Sequence, residues 1–186
     1  MRPAASAPAI VGAFPVLDAI LADHAAAIGA DMTRYRNHAY RVANLCAAQL
    51  PSRADSSERI AIAAAFHDLA IWTDDTFDYL EPSVRLAERW LADCGKATWA
   101  PEIAASIRQH HKLTRGHDID GSLVEAFRTA DWIDVTGGLL HFGIPRRFVR
   151  DLYARWPGEG FHRLLVRLEL RHLRRHPLKP LPVFRL

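Results

Sequence analysis

The stretch AAAFHDLAIWTDDTFDYL, residues 63–80, decides how the rest of the chain is interpreted. It begins with the small and large apolar residues of a buried helix and then places His67 next to Asp68. Burying an ionised aspartate costs free energy unless the carboxylate is paired or binds a cation. Histidine is the commonest nitrogen ligand of divalent metals. The pair therefore predicts a buried metal site, whose other ligands must come from elsewhere in the chain.

The spacing of apolar residues predicts an all-α fold. Apolar residues recur at three- and four-residue intervals, and alternation with period two is not sustained anywhere in the sequence. Proline and glycine mark several of the helix limits. We expect a helical bundle of the following segments: 15–28, 31–50, 56–71, 82–94, 100–111, 120–136, 145–155 and 160–175. These seven or eight helices form a single domain over residues 1–186, with a core at about 15–140 and an extension and extended tail at 141–186.

Composition favours one globular domain. The chain has 186 residues, of which 49% are hydrophobic and 24% charged, and its formal net charge is +3. The basic segment 171–186 would attract anions, but its single aromatic residue is Phe184. Nucleic-acid binding is therefore not favoured, because such surfaces usually interleave basic and aromatic side chains.

The N-terminal stretch and the cysteines predict a cytoplasmic protein. Asp18, Asp23 and His24 interrupt the apolar N-terminal residues before they reach the length of a membrane span, so we expect no membrane partner. Cys46 and Cys94 lie far apart without CxxC spacing, which is typical of reduced thiols.

Two further polar residues lie on apolar helix faces. His38, in RYRNHAYRVANL, precedes Val42 by four residues, and Asp131 follows Phe127 by four. Residues at this spacing share one face of a helix, so both side chains should point inward. Taken singly, each is more often a hydrogen-bonded structural residue than a metal ligand.

Taken in order, His38, the pair His67 and Asp68, and Asp131 resemble the signature of the HD-domain superfamily of metal-dependent phosphohydrolases, in particular its small single-domain members. The resemblance covers roughly residues 15–140. It implies that these four residues bind one divalent cation, for which Mn, Fe, Co, Ni and Mg stay open. Two imidazoles and two carboxylates suit such an octahedral ion. The implied activity is hydrolysis of a phosphate monoester or nucleotide by metal-activated water, with Asp68 at the reaction centre.

The sequence departs from some family members after the His-Asp pair. Members that cleave nucleotides can carry acidic residues three or four positions later, where this chain has Ile71 and Trp72. The nearest carboxylates that could orient water or protonate a leaving group are Asp74 and Asp75. Ordinary loop capping is the alternative for both residues.

Basic residues and histidines near the motif are candidates for substrate binding. Arg34 and Arg41 lie four residues before and three after His38, although solvent-exposed arginines would show the same spacing. In SIRQHHKLTRGHD, His110 and His111 resemble the extra histidines of two-metal family members. We expect a one-metal site, with these two histidines as supporting or substrate-binding groups and with Lys112 as a phosphate contact.

Other functions stay open at this point. The missing acidic residues favour a non-catalytic module that binds metal or nucleotide. Some relatives are di-iron oxygenases, but the chain has no histidine between residues 69 and 109 to supply their extra ligands. Residues 141–165 either close the pocket or form a homodimer contact, and the sequence does not choose between the two.

Overall fold

The structure is a computed structural model that describes residues 8–50, 55–114 and 122–175. Within these ranges every regular element is helical, which confirms the all-α prediction. The helices are α1 (Pro15–Asp23), α2 (Ala25–Ile28), α3 (Met32–Ala47), α4 (Ser56–Phe66), α5 (Ala70–Thr73), α6 (Leu80–Asp93), α7 (Ala100–Gln109), α8 (Leu123–Val135), α9 (Arg146–Arg155) and α10 (Phe161–Arg175). Short 3₁₀ turns lie at Gly29–Asp31 and Ala97–Trp99.

Helix α3 is the central element. Residues 37–46 of this helix are all buried, so it is surrounded on every side, unlike the one-sided helices of a protein surface. It packs mainly against α8 and α4, while α7 packs against α8. Helix α4 contributes three consecutive buried alanines, Ala63–Ala65, and such small side chains allow neighbouring helices to approach closely. This packing brings α3, α8 and the C-terminal end of α4 together.

The predicted helix at 56–71 is interrupted at the His-Asp pair. Helix α4 ends at Phe66, and the next amides donate to carbonyls three residues back, as in Leu69 N to Phe66 O at 3.1 Å and Ile71 N to Asp68 O at 3.0 Å. A three-residue hydrogen-bond pattern tightens the turn and redirects the side chains. His67 and Asp68 therefore project from a helix end into the interior. The predicted helix at 15–28 is similarly divided at His24 into α1 and α2.

The C-terminal helices belong to the same apolar core as the motif. The Trp156 ring lies 5.0 Å from that of Tyr40, and the Phe161 ring stacks on His38 at 4.1 Å between centroids. Along the described part of α10, Phe161 is fully buried whereas Val166 and Leu170 are exposed. In the described ranges, no helix combines the length and the apolar character required to cross a bilayer. The predicted tail after residue 175 lies outside the described residues.

Candidate metal centre

The four residues of the predicted ligand set meet at one point. His38 comes from α3, His67 and Asp68 from the turn after α4, and Asp131 from α8, and none is more than 3% exposed. The two imidazole Nε2 atoms, of His38 and His67, are 2.9 Å apart. The Asp68 Oδ2 atom lies 3.3 Å from His67 Nε2 and 3.6 Å from His38 Nε2. Asp131 Oδ1 lies 3.6 and 3.9 Å from the same two nitrogens.

The hydrogen bonds of the imidazoles fix where their protons reside. His38 Nδ1 lies 2.7 Å from the Asp134 carboxylate, and His67 Nδ1 lies 2.9 Å from the Ala64 carbonyl oxygen. Both partners only accept hydrogen bonds, so each Nδ1 carries a proton and each Nε2 carries a lone pair. Burial lowers the pKa of His38 to about 4, against the opposing effect of Asp134. His38 therefore presents an unprotonated Nε2 atom to the cluster at neutral pH, 2.9 Å from the Nε2 atom of His67, and a cation between the two nitrogens would bind it.

A third imidazole joins the cluster from the end of α7. His110 Nδ1 lies 2.7 Å from the Ile107 carbonyl oxygen, which again leaves the lone pair on Nε2. That Nε2 atom is 3.5 Å from Asp68 Oδ1, and both atoms are buried without a hydrogen-bond partner. A buried polar atom without a partner is costly, so the pair points to a missing ligand in common.

His111 forms the outer edge of the cluster. Its Nδ1 atom lies 3.9 Å from Asp131 Oδ2, and its Nε2 atom lies 2.6 Å from the Tyr79 hydroxyl. Its side chain is 15% exposed, more than those of the other clustered residues. The cluster contains two groups of three residues whose potential ligand atoms lie within 4.8 Å of one another. The first group is His38, His67 and Asp68, and the second is Asp68, His110 and His111. Asp68 belongs to both groups.

The donor atoms suit a divalent ion. Metal bonds of about 2.0–2.1 Å at right angles place neighbouring ligand atoms about 3 Å apart, close to the shorter separations between His38, His67 and Asp68. Imidazole and carboxylate donors match the harder first-row metals, whereas structural zinc usually includes thiolates. Cys46 is buried in α3, Cys94 is exposed after α6, and neither belongs to the candidate groups. The buried cluster is therefore able to bind a metal ion.

The pKa values of the Asp68 and Asp131 carboxylates are shifted in opposite directions. Burial raises the pKa of Asp131 to about 8, and the negative charges of Asp68 and Asp134 contribute further. Burial alone would also raise the pKa of Asp68, but the adjacent His67 and His110 hold it well below its usual value. Without a cation the cluster therefore retains a proton on Asp131 that a metal ion would have to displace.

Metal affinity is accordingly expected to rise with pH. Below the Asp131 pKa of about 8, each metal ion bound releases one proton, so affinity should increase about tenfold per pH unit and level off near about pH 8. Isothermal titration with Mn²⁺ at several pH values, in two buffers of different ionisation enthalpy, measures both the affinity and the proton release. A constant affinity between about pH 6 and about pH 8, without proton release, would contradict this account.

Asp134 is the site residue that the sequence reasoning did not connect to His38. It follows Asp131 by three residues and therefore shares its helix face, which is a signal that the sequence does contain. The structure also gives Arg41 a different place from the one expected. Its guanidinium is fully buried and paired with Asp134, so the geometry does not support contact between Arg41 and a substrate.

Other predicted residues lie around the cluster with varied surroundings. Arg34 is half-buried and pairs with Asp31 at 3.3 Å. Trp72 occupies one of the positions that are acidic in some HD proteins. Its indole donates a hydrogen bond to Asp31 Oδ2 at 2.9 Å, and its ring packs on that of Tyr35. Ile71, at the other, is buried in a small apolar cluster. These two positions therefore have packing roles here.

The loop carboxylates and Lys112 stay predictions. Asp74 and Asp75 are exposed, and Asp74 accepts a hydrogen bond from the Thr73 hydroxyl at 2.8 Å. The backbone carbonyl of Lys112 accepts hydrogen bonds from Arg128 and from the Trp132 indole, both at 3.1 Å. Lys112 is thereby held beside the part of α8 that carries Asp131.

Comparisons with known family models, with curated proteins and with solved structures give no match to this chain.

Proposed function

We propose that the protein is a metal-dependent phosphohydrolase of the HD-domain type that acts on a phosphate monoester or a nucleotide. The observation that carries the proposal is the convergence of imidazole lone pairs and buried carboxylates on one point, with the His38 and His67 Nε2 atoms 2.9 Å apart. In this proposal His38, His67, Asp68 and Asp131 hold one divalent ion. The order of these ligands along the chain is that of the HD signature.

The chemistry follows from the donor set. A divalent ion in such a site lowers the pKa of a coordinated water and polarises a phosphoryl oxygen. Asp68 keeps its Oδ1 atom free of hydrogen bonds, so that oxygen is available to orient a water or accept its proton. Burial of the ligands excludes bulk water, which strengthens the electrostatic interactions of bound phosphate.

The substrate side of the site is expected near His111 and Lys112. His111 is the most exposed side chain of the cluster, and its hydrogen bond to Tyr79 holds its ring in place. An ammonium next to a metal ion is a common phosphate contact. We therefore assign His111 and Lys112 to substrate binding, and Asp74 or Asp75 to protonation of the leaving group.

A screen of phosphate esters tests this function. The purified protein, stripped with EDTA and reloaded with Mn²⁺, Fe²⁺, Co²⁺, Ni²⁺ or Mg²⁺, is expected to release phosphate from a nucleotide or a small monoester. EDTA should abolish the activity, and the added metal should restore it. Tight nucleotide binding without turnover under every metal would instead identify a non-catalytic binding module.

One observation favours a second candidate. Asp68, His110 and His111 form a further group of metal-competent side chains next to the first, as an HD-type di-iron oxygenase would require. Metal counting separates the two: about one ion per chain supports the hydrolase, whereas two irons per chain with an oxygen-dependent activity would support the oxygenase.

A further inference from the structure

We propose that Arg41 is a positioning residue for His38, acting through Asp134, and that the connection between α9 and α10 holds Arg41 in place. The guanidinium and the carboxylate form a fork, with Arg41 Nε 2.5 Å from Asp134 Oδ1 and Nη2 2.9 Å from Oδ2. The same Oδ2 atom accepts the Nδ1 proton of His38 at 2.7 Å. This inference rests on the proposed metal site.

The position of His38 within its helix explains why such a relay is needed. His67 and His110 lie at helix ends, where carbonyls three residues back have no partner in the helix and can accept the Nδ1 proton. His38 lies in the interior of α3, where the backbone carbonyls are already engaged in helical hydrogen bonds. Its ring therefore requires a side-chain acceptor, and Asp134 provides it.

The fork restrains the carboxylate as well as neutralising it. A single hydrogen bond would let the Asp134 carboxylate rotate, whereas two parallel bonds to a planar guanidinium fix both oxygens. Oδ2 then stays in line with His38 Nδ1, which keeps the lone pair on Nε2 and directs it toward the cluster. An ionised acceptor also makes the imidazole a stronger metal donor.

The remaining contacts of Arg41 come from the C-terminal part of the chain. Its Nη1 atom donates to the Trp156 carbonyl at 2.8 Å and to the Pro157 carbonyl at 3.3 Å. The guanidinium carbon lies 4.4 Å from the centre of the Tyr153 ring. The backbone carbonyl of Asp134 in turn accepts hydrogen bonds from the Tyr153 hydroxyl and from His162. The end of α9 and the start of α10 thus fix both members of the fork.

A paired substitution separates positioning from simple stabilisation. The double variant Arg41→Met/Asp134→Leu removes both buried charges, so it avoids the unpaired charge that either single apolar change would leave. It is expected to fold and to lose about 10- to 100-fold in Mn²⁺ affinity, since His38 loses its acceptor. The control Arg36→Met removes an ion pair from the same helix, that with Asp18, and should leave Mn²⁺ affinity unchanged.

The tautomer of His38 gives a readout that needs no metal. Nitrogen-15 NMR of the metal-free wild type should show the His38 proton on Nδ1, and the double variant should show a mixture of tautomers. A folded double variant with the wild-type tautomer and the wild-type Mn²⁺ affinity would overturn the proposal. If the wild type binds no metal, the proposed function fails. The position of the His38 proton in the wild type and the double variant still shows whether Asp134 orients the His38 ring.

Two conservative variants cover the case in which the double variant does not fold. Asp134→Asn keeps an oxygen for His38 but loses the charge, and Arg41→Lys keeps the charge but loses the fork. Each is expected to reduce Mn²⁺ affinity about tenfold, measured at a temperature where circular dichroism shows the helical content of the wild type, because Asp134→Asn leaves the buried Arg41 charge unpaired and should lower the Tm. Unchanged affinity in both would refute the relay.

Discussion

Asp68→Asn is expected to abolish metal binding without unfolding the protein. Asp68 serves both groups of ligands, with Oδ2 3.3 Å from His67 Nε2 and Oδ1 3.5 Å from His110 Nε2. The amide is nearly the same size as the carboxylate, and its NH₂ group can donate to one of these lone pairs, so the core should remain packed. It lacks the negative charge through which the carboxylate attracts a divalent ion. Affinity should fall by more than about 100-fold, and the proposed phosphohydrolase activity should be lost with it.

Elemental analysis and circular dichroism check this prediction together. About one metal ion per wild-type chain, absent from a variant of unchanged helicity, is the expected pattern. Asp74→Asn is the matched control, because Asp74 is exposed and the same chemical change there should leave the metal content unchanged. A helical Asp68→Asn protein that still copurifies with stoichiometric metal would remove Asp68 from the ligand set.

Metal binding is expected to raise the melting temperature substantially. The metal-free cluster holds two neighbouring buried carboxylates, and burial, together with the charges of Asp68 and Asp134, raises the pKa of Asp131 to about 8. An ion at 100 times its Kd adds about 2.7 kcal/mol to the free energy of unfolding. For a protein of this size, that corresponds to an increase in Tm of about 5–10 °C.

Differential scanning calorimetry with and without Mn²⁺ measures this shift. Asp68→Asn should melt at the same temperature in both conditions, which separates site binding from a general salt effect. A wild-type Tm that does not respond to any of the five candidate metals would contradict a metal centre in this cluster.

Helical periodicity was sufficient to predict the all-α fold and the burial of His38 and Asp131, whereas their assignment as metal ligands with His67 and Asp68 came from the resemblance to the HD signature and stays a prediction. His38 and Asp131 were identified because each follows or precedes apolar residues at four-residue spacing, and both are buried as expected. The same spacing rule applies to His110. His110 follows Ile103 by seven residues and Ile107 by three, so its burial on the inner face at the end of α7 could be predicted from the sequence.

Periodicity does not predict two features of the structure, the helix break at His67 and the pairing of Arg41 with Asp134. The apolar pattern continues through AAAFHDLAIW, so it does not reveal that the helix ends at Phe66 and resumes at Ala70. The partner of Arg41 is also not visible in the sequence, because Asp134 lies 93 residues away and their meeting depends on how α3 packs against α8. The sequence places the basic Arg41 near the candidate ligand His38, and the tertiary contact with Asp134 shows that Arg41 faces the core.

The near-complete burial of the proposed ligands has a consequence for how the protein would acquire a metal ion. His38, His67, Asp68 and Asp131 come from three separate segments and are at most 3% exposed, so an ion seated between them could leave only through a transient opening of the packed helices. Exchange with the surrounding ion pool should therefore be slow relative to folding. The identity of the bound metal would then be set by which ion is abundant when the chain folds, more than by intrinsic preference among metals of similar chemistry.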